Sequence, residues 1–467
     1  MDRHAVIWMR TANGPMKMGD MVVTEHEARF AYAEEFLASG NPDGLALLAS
    51  PALYGRETFV FRLRPAFPVP PRLMQFIPGH GRNNLQRRLY DKVLATRASP
   101  PAPGFDTDWE MMLLAGRNGI GHIDVFRDDR AAEAGYGAAI KRHPRAADRS
   151  AFWKAIREDI AEDLEAIDPD QIAHLLGPTP SAGGMIPKLL VAIPDVPSGR
   201  QSWNGDFAPA GTRKVGERRY IDALLKIEPR EYEGVVGLES LCLDIHRESG
   251  FDVPRYWRVS IDGMQLLAVE RFDRTASGIP VPMESFYSVF ATGDAAFNGN
   301  EDTDIEEVGL RLEQLSSVTS LDHKAARLMV YRRFCLALCT GNGDMHLENL
   351  SFLGGPRSVR VAPVYDPAPM RAWPQHNVRS AIPIVFEEGT FRDNVIRVGR
   401  AFGLSNNAAR DILDEMLDVT RNYVTRVMAL QDVPDARKLN LARIVEAERD
   451  ALGKIAPCDL PGTEMRG

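Results

Sequence analysis

Hydrophobic and polar positions change their period along the chain, and the changes mark out its elements. His4 to Arg10, Ala28 to Tyr32 and Thr58 to Leu63 are short, alternating and rich in β-branched and aromatic residues, which predicts strands. Pro65 to Pro71 is proline-dense and reads as an extended connector. Leu73 to Leu94 follows with helical spacing, interrupted at Gly79-His80-Gly81. Glu110 to Ala115 and Gly121 to Phe126 flank Asn118-Gly119, a pair that supplies the positive φ angles of a tight turn, so the two runs predict a β-hairpin. Residues 1–126 read as a small α+β module. Ala131 to Gly177 is helical in pattern, with Ser150 as N-cap ahead of Phe152, Ile156, Ile160 and Leu164, and residues 127–177 read as a helical bridge packing onto both neighbours.

The pattern changes character at Gly177-Pro178-Thr179-Pro180, where a loop leads into an apolar strand from Lys188 to Ile193. Pro197 to Gly216 is polar and glycine-rich, a long connection, and Arg218 to Ile227 returns as a strand that carries Lys226. Glu231 to Ser249 is helical, with Leu238, Leu241 and Ile245 on one face, and Trp257 to Phe272 is a hairpin turning at Asp262-Gly263. Residues 178–275 are one unit on this reading. From 276 to 467 helical spacing dominates: Leu328, Tyr331, Cys335 and Leu338 share a face, as do Ile412, Met416, Val419 and Tyr423 after an N-cap at Ser405. Such stripes predict core rather than a cofactor box. The fold class is α+β: a small N-terminal α+β subdomain, then two lobes of which the C-terminal one is mostly helical.

A length of 467 residues implies roughly two to four structural units with a sizeable core. Hydrophobic content of 44 % with 26 % charged residues is that of a globular chain, neither disordered nor fibrous. A formal charge of -8 argues against gripping nucleic acid over the whole surface. The four cysteines show no CxxC pairing, and Cys335 and Cys339, one helical turn apart on an apolar segment, read as small buried residues. No run reaches the ~18 apolar residues of a membrane span, and the apolar stretch at the N-terminus is too short for a signal peptide, so the expected setting is cytoplasmic. The acidic run from Asn298 to Glu307 lacks the glycine and terminal glutamate of an EF-hand at the proper offsets, and a solvated loop is expected there.

Candidate chemistry centres on Gly341-Asn-Gly-Asp-Met-His-Leu-Glu-Asn349. Asp344 and Asn349 lie five positions apart on a glycine-flanked turn, the spacing of a kinase catalytic loop in which the Asp takes a hydroxyl proton and the Asn holds magnesium. Val361 to Asp366 predicts a strand ending in a second carboxylate, and a few hard oxygen ligands suit Mg²⁺ bridging phosphate oxygens. Upstream, Ser181, Ala182, Gly183 and Gly184 offer backbone N–H groups to phosphate, although Gly-Gly in a turn is most often only a turn. Lys226 on an otherwise apolar strand needs an anionic partner or a route to solvent. Glu239 on the following helix is a candidate for that partner, and would otherwise be an ordinary surface glutamate. His346 reads as a brace for its loop, close to where nucleotide would sit. The order is what discriminates: glycine loop, strand lysine, helix glutamate, hinge hairpin, Asp-x4-Asn loop and terminal Asp, the part list of a two-lobe kinase.

On these motifs the chain resembles the HipA toxin kinases. The matching blocks are Ser181-Ala-Gly-Gly-Met-Ile-Pro-Lys188, Val269-Glu-Arg-Phe-Asp-Arg274, Gly341 to Asn349 and Ala362-Pro-Val-Tyr-Asp366, with Phe30 to Ser39 and Leu114 to Gly121 resembling the family's first subdomain. The resemblance implies a serine/threonine protein kinase with a lipid-kinase-like core, usually the toxin of a toxin–antitoxin pair. By position, Asp344 would be the catalytic base, Asn349 and Asp366 the Mg²⁺ ligands, Lys226 the phosphate-binding lysine with Lys188 beside the glycine loop, and Glu270, Arg271 and Phe272 the hinge that meets the adenine of ATP. Ser181 matches the serine that family members autophosphorylate, which displaces the glycine loop. One departure is Ile186, where the block usually has Gln. The resemblance further implies a helix-turn-helix antitoxin partner, contact with DNA only through it, and a protein target similar in kind to an aminoacyl-tRNA synthetase. Two other readings stay open: a small-molecule phosphotransferase of the antibiotic-kinase type, and a catalytically inactive binding partner.

Overall fold

The computed structural model describes residues 2–80, 84–141, 186–200 and 202–453. The helical pattern after Ser150 and the loop from Ser181 to Gly184 lie outside the described residues. The first sheet has five strands, β1 (Arg3–Thr11), β2 (Gly14–Val23), β3 (Glu27–Tyr32), β4 (Thr58–Arg62) and β5 (Ile123–Phe126), in the order β4-β3-β2-β1-β5. It buries Ile7, Met21, Phe30 and Val125 with Trp109 and Phe36. β2 was not among the expected strands. It pairs with β1 through a register shift between Ile7 and Trp8.

The hairpin expected over 110–126 is not formed. Glu110 to Ala115 belongs to helix α1 (Phe105–Ala115), in which Trp109, Met111, Met112, Leu113 and Ala115 are all buried. A helix buried on most sides shows no amphipathic period, so its apolar run is indistinguishable from a strand. Asn118 does hold a positive φ of 54°, but the turn it makes joins a helix to β5. Helix α2 (Asp129–Lys141) then packs Ala132 and Tyr136 on Val6 and Phe126.

The second sheet has four long antiparallel strands, β6 (Lys188–Pro194), β7 (Arg218–Ile227), β8 (Tyr256–Ile261) and β9 (Met264–Glu270), in the order β8-β9-β7-β6 with short strands at its margins. Asp262 and Gly263 turn the β8–β9 hairpin at φ 50° and 84°. Alternation sorts the sheet into two faces. Leu189, Val191, Ala223, Leu225, Leu266 and Ala268 pack with Trp203 and Trp257 in one cluster. The other face carries Leu267 and Val269 into the large core of the C-terminal lobe and covers helix α3 (Val235–Glu248).

Past β10 (Met283–Ser285) the chain is mainly helical. Helix α4 (His323–Thr340) runs through the lobe with Tyr331, Cys335 and Leu338 buried, but Leu328 is 40 % exposed because the first turns of α4 reach solvent. Burial pushes the Cys335 and Cys339 thiols up, as expected of core residues. Helix α5 (Asn406–Val419) starts at Ser405, whose side chain accepts from the Ala408 amide. Within 298–307 the expected solvated loop is partly structured: Asp304 caps the helix that begins at Ile305. Among the described residues no helix is long and apolar enough to cross a membrane.

Two buried imidazoles give the fold an acid limit. His122 and His246 are both driven down to about 3, first by desolvation and then by a nearby arginine. A histidine whose folded pKa is lowered stabilises the fold above its unfolded value near 6.5 and loses that contribution as pH falls below it. Each is expected to cost about 1.4 kcal/mol per pH unit below that point. Urea midpoints between pH 8 and 5 check this: a flat profile above pH 6.5 and a decline below it is the expected result, and a flat profile throughout contradicts it.

Candidate active site

Helix α4 ends at Gly341, whose φ of 75° turns the chain sharply into the loop. The loop is self-bonded. Asn342 Oδ1 accepts from the Asp344 amide at 3.0 Å, His346 Nδ1 accepts from the Glu348 amide at 3.2 Å, and Asn349 Nδ2 donates to the Asp344 carbonyl at 2.8 Å. The Leu347 amide is held from outside by Asn300 Oδ1 at 3.1 Å. Gly343 is tightly enclosed: a Cβ there would come within 2.0 Å of the Val378 carbonyl oxygen. With its amide nitrogen so employed, Asn349 leaves its Oδ1 lone pairs to face a cation.

Asp366 does not end a strand. The strand expected up to it stops at Val361, and Asp366 sits at φ 53° on irregular chain. Its seat is fixed by Tyr365, whose hydroxyl donates to the Glu348 carbonyl at 2.7 Å and whose own carbonyl accepts from Arg333 at 2.8 Å. A non-glycine residue at positive φ stores backbone strain that its surroundings must hold.

The second sheet supplies the positive charge. Lys226 of β7 pairs directly with Lys188 of β6, and residues opposite one another on antiparallel strands emerge on the same face. Two ammonium groups side by side repel unless an anion lies between them. Here Asp366 does, accepting from Lys188 at 2.8 Å and from Lys226 at 2.5 Å on its two oxygens. Lys226 also donates to Glu239 Oε1 at 2.5 Å, while Glu239 Oε2 is buried without a hydrogen bond. Lys226 and Glu239 are almost wholly buried. Burial opposes the charge of Asp366, but Lys188 and Lys226 hold its carboxyl well below the usual range. Burial likewise opposes the charge of Lys226, yet Asp366 and Glu239 raise its pKa.

Asp344 lies at the exposed side of the same cluster. Desolvation raises its pKa and the negative charge of Asp366 adds to the rise, while His346, Lys188 and His376 oppose it. His376, unremarked in the sequence, is held by the Tyr232 hydroxyl at 2.8 Å. That contact joins the segment between β7 and α3 to the segment after Asp366.

The side chains of the expected hinge each have a protein partner. Glu270 makes a bidentate pair with Arg255 at 2.7 and 2.8 Å, Arg271 points into the N-terminal module, and Phe272 lies against Tyr365 at 5.8 Å between ring centres. Ile186 is buried in the C-lobe core, contributing packing rather than a polar contact. Ser181 to Gly184 fall outside the described residues. Sequence reasoning gave no role to Asp222, in the middle of β7, or to Asp273 and Arg274, just past the end of β9, although the side chains of all three are buried charges.

As a donor set the cluster suits a magnesium nucleotide. Asn349 Oδ1 and the Asp366 carboxylate are hard oxygens, and Lys188 and Lys226 are cations suited to phosphate. Among the described residues no three His, Cys, Asp or Glu side chains form a group able to hold a metal, so a divalent ion here would draw on phosphate and water oxygens.

Residues 180–423, just over half of the chain, match the HipA-like C-terminal domain. The putative kinase Y4dM of Sinorhizobium fredii is 29 % identical over 239 residues, covering 47 % of this chain and 53 % of that protein. A putative kinase of Haemophilus influenzae is 27 % identical over 216 residues, covering 39 % of this chain and 60 % of that protein. The chain thus spans little more than half the length of these curated relatives. Among solved structures, HipA in the Shewanella oneidensis HipA, HipB and operator DNA complex superposes with a TM-score of 0.62 at 15 % identity, covering 96 % of each chain, which shows a shared fold.

Proposed function

Because this chain belongs to the HipA-like C-terminal domain family, we propose that it is a Mg-ATP-dependent serine/threonine protein kinase acting as the toxin of a toxin–antitoxin pair. One observation carries the reading: the ammonium of a buried strand lysine, Lys226, lies 2.5 Å from both the helix glutamate Glu239 and the loop aspartate Asp366, beside an Asp-x4-Asn loop. Phosphoryl transfer needs little covalent chemistry from protein, so positioning and charge are most of what such a site must provide.

In this reading Glu239 aims the Lys226 ammonium, and Lys226 and Lys188 stabilise charge on the phosphate oxygens of ATP. Asn349 and Asp366 would hold Mg²⁺, which when bound supplies further charge neutralisation at the transferring phosphate. Asp344 accepts the proton of the acceptor hydroxyl. Its raised pKa makes it a stronger base than an exposed aspartate. His346 keeps the loop in shape. Glu270 to Phe272 form the hinge beside the base, and the backbone of Ser181 to Gly184 cradles phosphate. A small helix-turn-helix antitoxin is the proposed partner, with DNA contacted through it. The net charge of -8 agrees with that division.

Incubation with ATP and Mg²⁺ tests the reading. Phosphate is expected on Ser181, and since it carries about -1.5 to -2 charge it would repel the nucleotide's own phosphates and reduce further turnover. Mass spectrometry showing Ser181 unmodified while other sites gain phosphate removes the self-inhibition. Absence of any MgATP binding by calorimetry removes the kinase, and transfer only to a small molecule such as an aminoglycoside replaces it with the antibiotic-kinase reading.

A further inference from the structure

The segment joining the lobes leaves β9 at Glu270 and is gripped at once. The Arg271 amide donates to the Asp222 carbonyl at 2.9 Å, on the same strand as Lys226. The Arg271 guanidinium enters the N-terminal module, donating to the carbonyls of Asn118 at 3.0 Å and Gly119 at 2.5 Å, and to the two oxygens of Asp273 at 2.9 and 2.7 Å. Arg274 adds bonds to the carbonyls of Gly119 at 2.8 Å and Gly121 at 2.9 Å. Asp273 closes the circuit by accepting from the Gly121 amide at 2.7 Å. Buried charges are costly unless each is matched, and here the planar guanidinium fork meets two carbonyls and a carboxylate together.

The receiving loop is shaped for this purpose. Asn118 and Gly121 hold φ of 54° and 82°, turning the carbonyls of 118, 119 and 121 toward the arginines. The same module also grips the C-terminal lobe. The Leu47 amide donates to Glu284 at 2.7 Å, and Arg64 donates to the carbonyls of Ala291 at 3.2 Å and Phe297 at 2.5 Å. The N-terminal sheet module is therefore bonded both to the linker between the lobes and to the lobe beyond it.

We propose that the N-terminal module is a brace for the cleft, acting through Arg271 as a positioning residue that fixes the linker and with it the spacing of the β7 lysine from the Asp366 loop. The proposal rests on the nucleotide reading given above. Arg271 touches no reacting atom, so loosening the brace weakens uniform binding of nucleotide and leaves the chemical step alone.

Two variants test it in the full-length chain. Arg271→Lys keeps the charge but cannot span the two carbonyls and Asp273 at once. Asn118→Gly keeps the positive φ comfortably while deleting the Oδ1 that Arg274 Nη2 approaches at 3.3 Å. KM for MgATP is expected to rise about five- to tenfold in the first and about two- to threefold in the second, with kcat within about twofold. A merely structural role would lower the melting temperature and leave KM of the folded protein unchanged. Wild-type KM in folded variants, or a fall in kcat alone, overturns the brace, and Asn118→Gly decides if Arg271→Lys does not fold. Should the wild-type chain bind no MgATP, the proposed function fails while amide exchange of residues 271–281 still decides this point. Faster exchange in Asn118→Gly supports the brace, and unchanged exchange overturns it.

Discussion

Replacing Asp344 with Asn is expected to slow phosphoryl transfer about 10²- to 10⁴-fold, the usual worth of a positioned general base. The amide is nearly isosteric, and the loop bonds run through the Asp344 main chain rather than its carboxyl, so the fold should be preserved. MgATP affinity should change little, because the lysines and Asp366 that would face phosphate are untouched. Single-turnover transfer of labelled phosphate, beside calorimetry of MgATP, measures both quantities. A variant that turns over at the wild-type rate removes Asp344 from the chemistry, whatever becomes of the other residues.

The second large effect is on stability. Lys226→Met leaves Glu239 buried without the cation it is hydrogen-bonded to, and breaking a buried ion pair from one side costs about 3 to 5 kcal/mol. Asp366 is spared the same fate because Lys188 still reaches it at 2.8 Å. Urea denaturation should show the loss in Lys226→Met and recovery of much of it in Lys226→Met/Glu239→Gln, where no uncompensated charge remains. The double variant should bind nucleotide poorly all the same, which separates the part the pair plays in folding from the part Lys226 plays at the site. A single variant within about 1 kcal/mol of wild type would mean that Glu239 takes up a proton or is compensated by Lys188.

What could be read from the chain in advance depended on how local its signal was. The strand carrying Lys226 alternates cleanly because one face of the sheet is apolar and the other faces the cleft, and the Asp344 to Asn349 turn announces itself by its glycines and spacing. Lys188 was assigned to the glycine loop, but its partnership with Asp366 spans 178 positions and no sequence pattern expresses it. The helix from Phe105 to Ala115 was misread because burial on most sides erases periodicity, even though Asn118 correctly announced a left-handed turn. β2 was missed because glycine, proline and methionines carry weak strand preference. Glu270 to Phe272 were expected as the hinge that meets adenine, but Arg271 and Glu270 spend their side chains on Asp273 and Arg255. Arg271 also donates to the carbonyls of Asn118 and Gly119, about 150 positions earlier, and a contact with so distant a neighbour leaves no local pattern in the sequence.

The enclosure around Gly343 reaches further than its own turn. Even a methyl group there would collide with the backbone of Val378, and a carbonyl oxygen cannot rotate aside as a flexible side chain would. Drift at this codon is therefore vetoed by steric geometry, independently of any selection on catalysis. The residue immediately before the proposed base would stay glycine even in a descendant that had abandoned its chemistry.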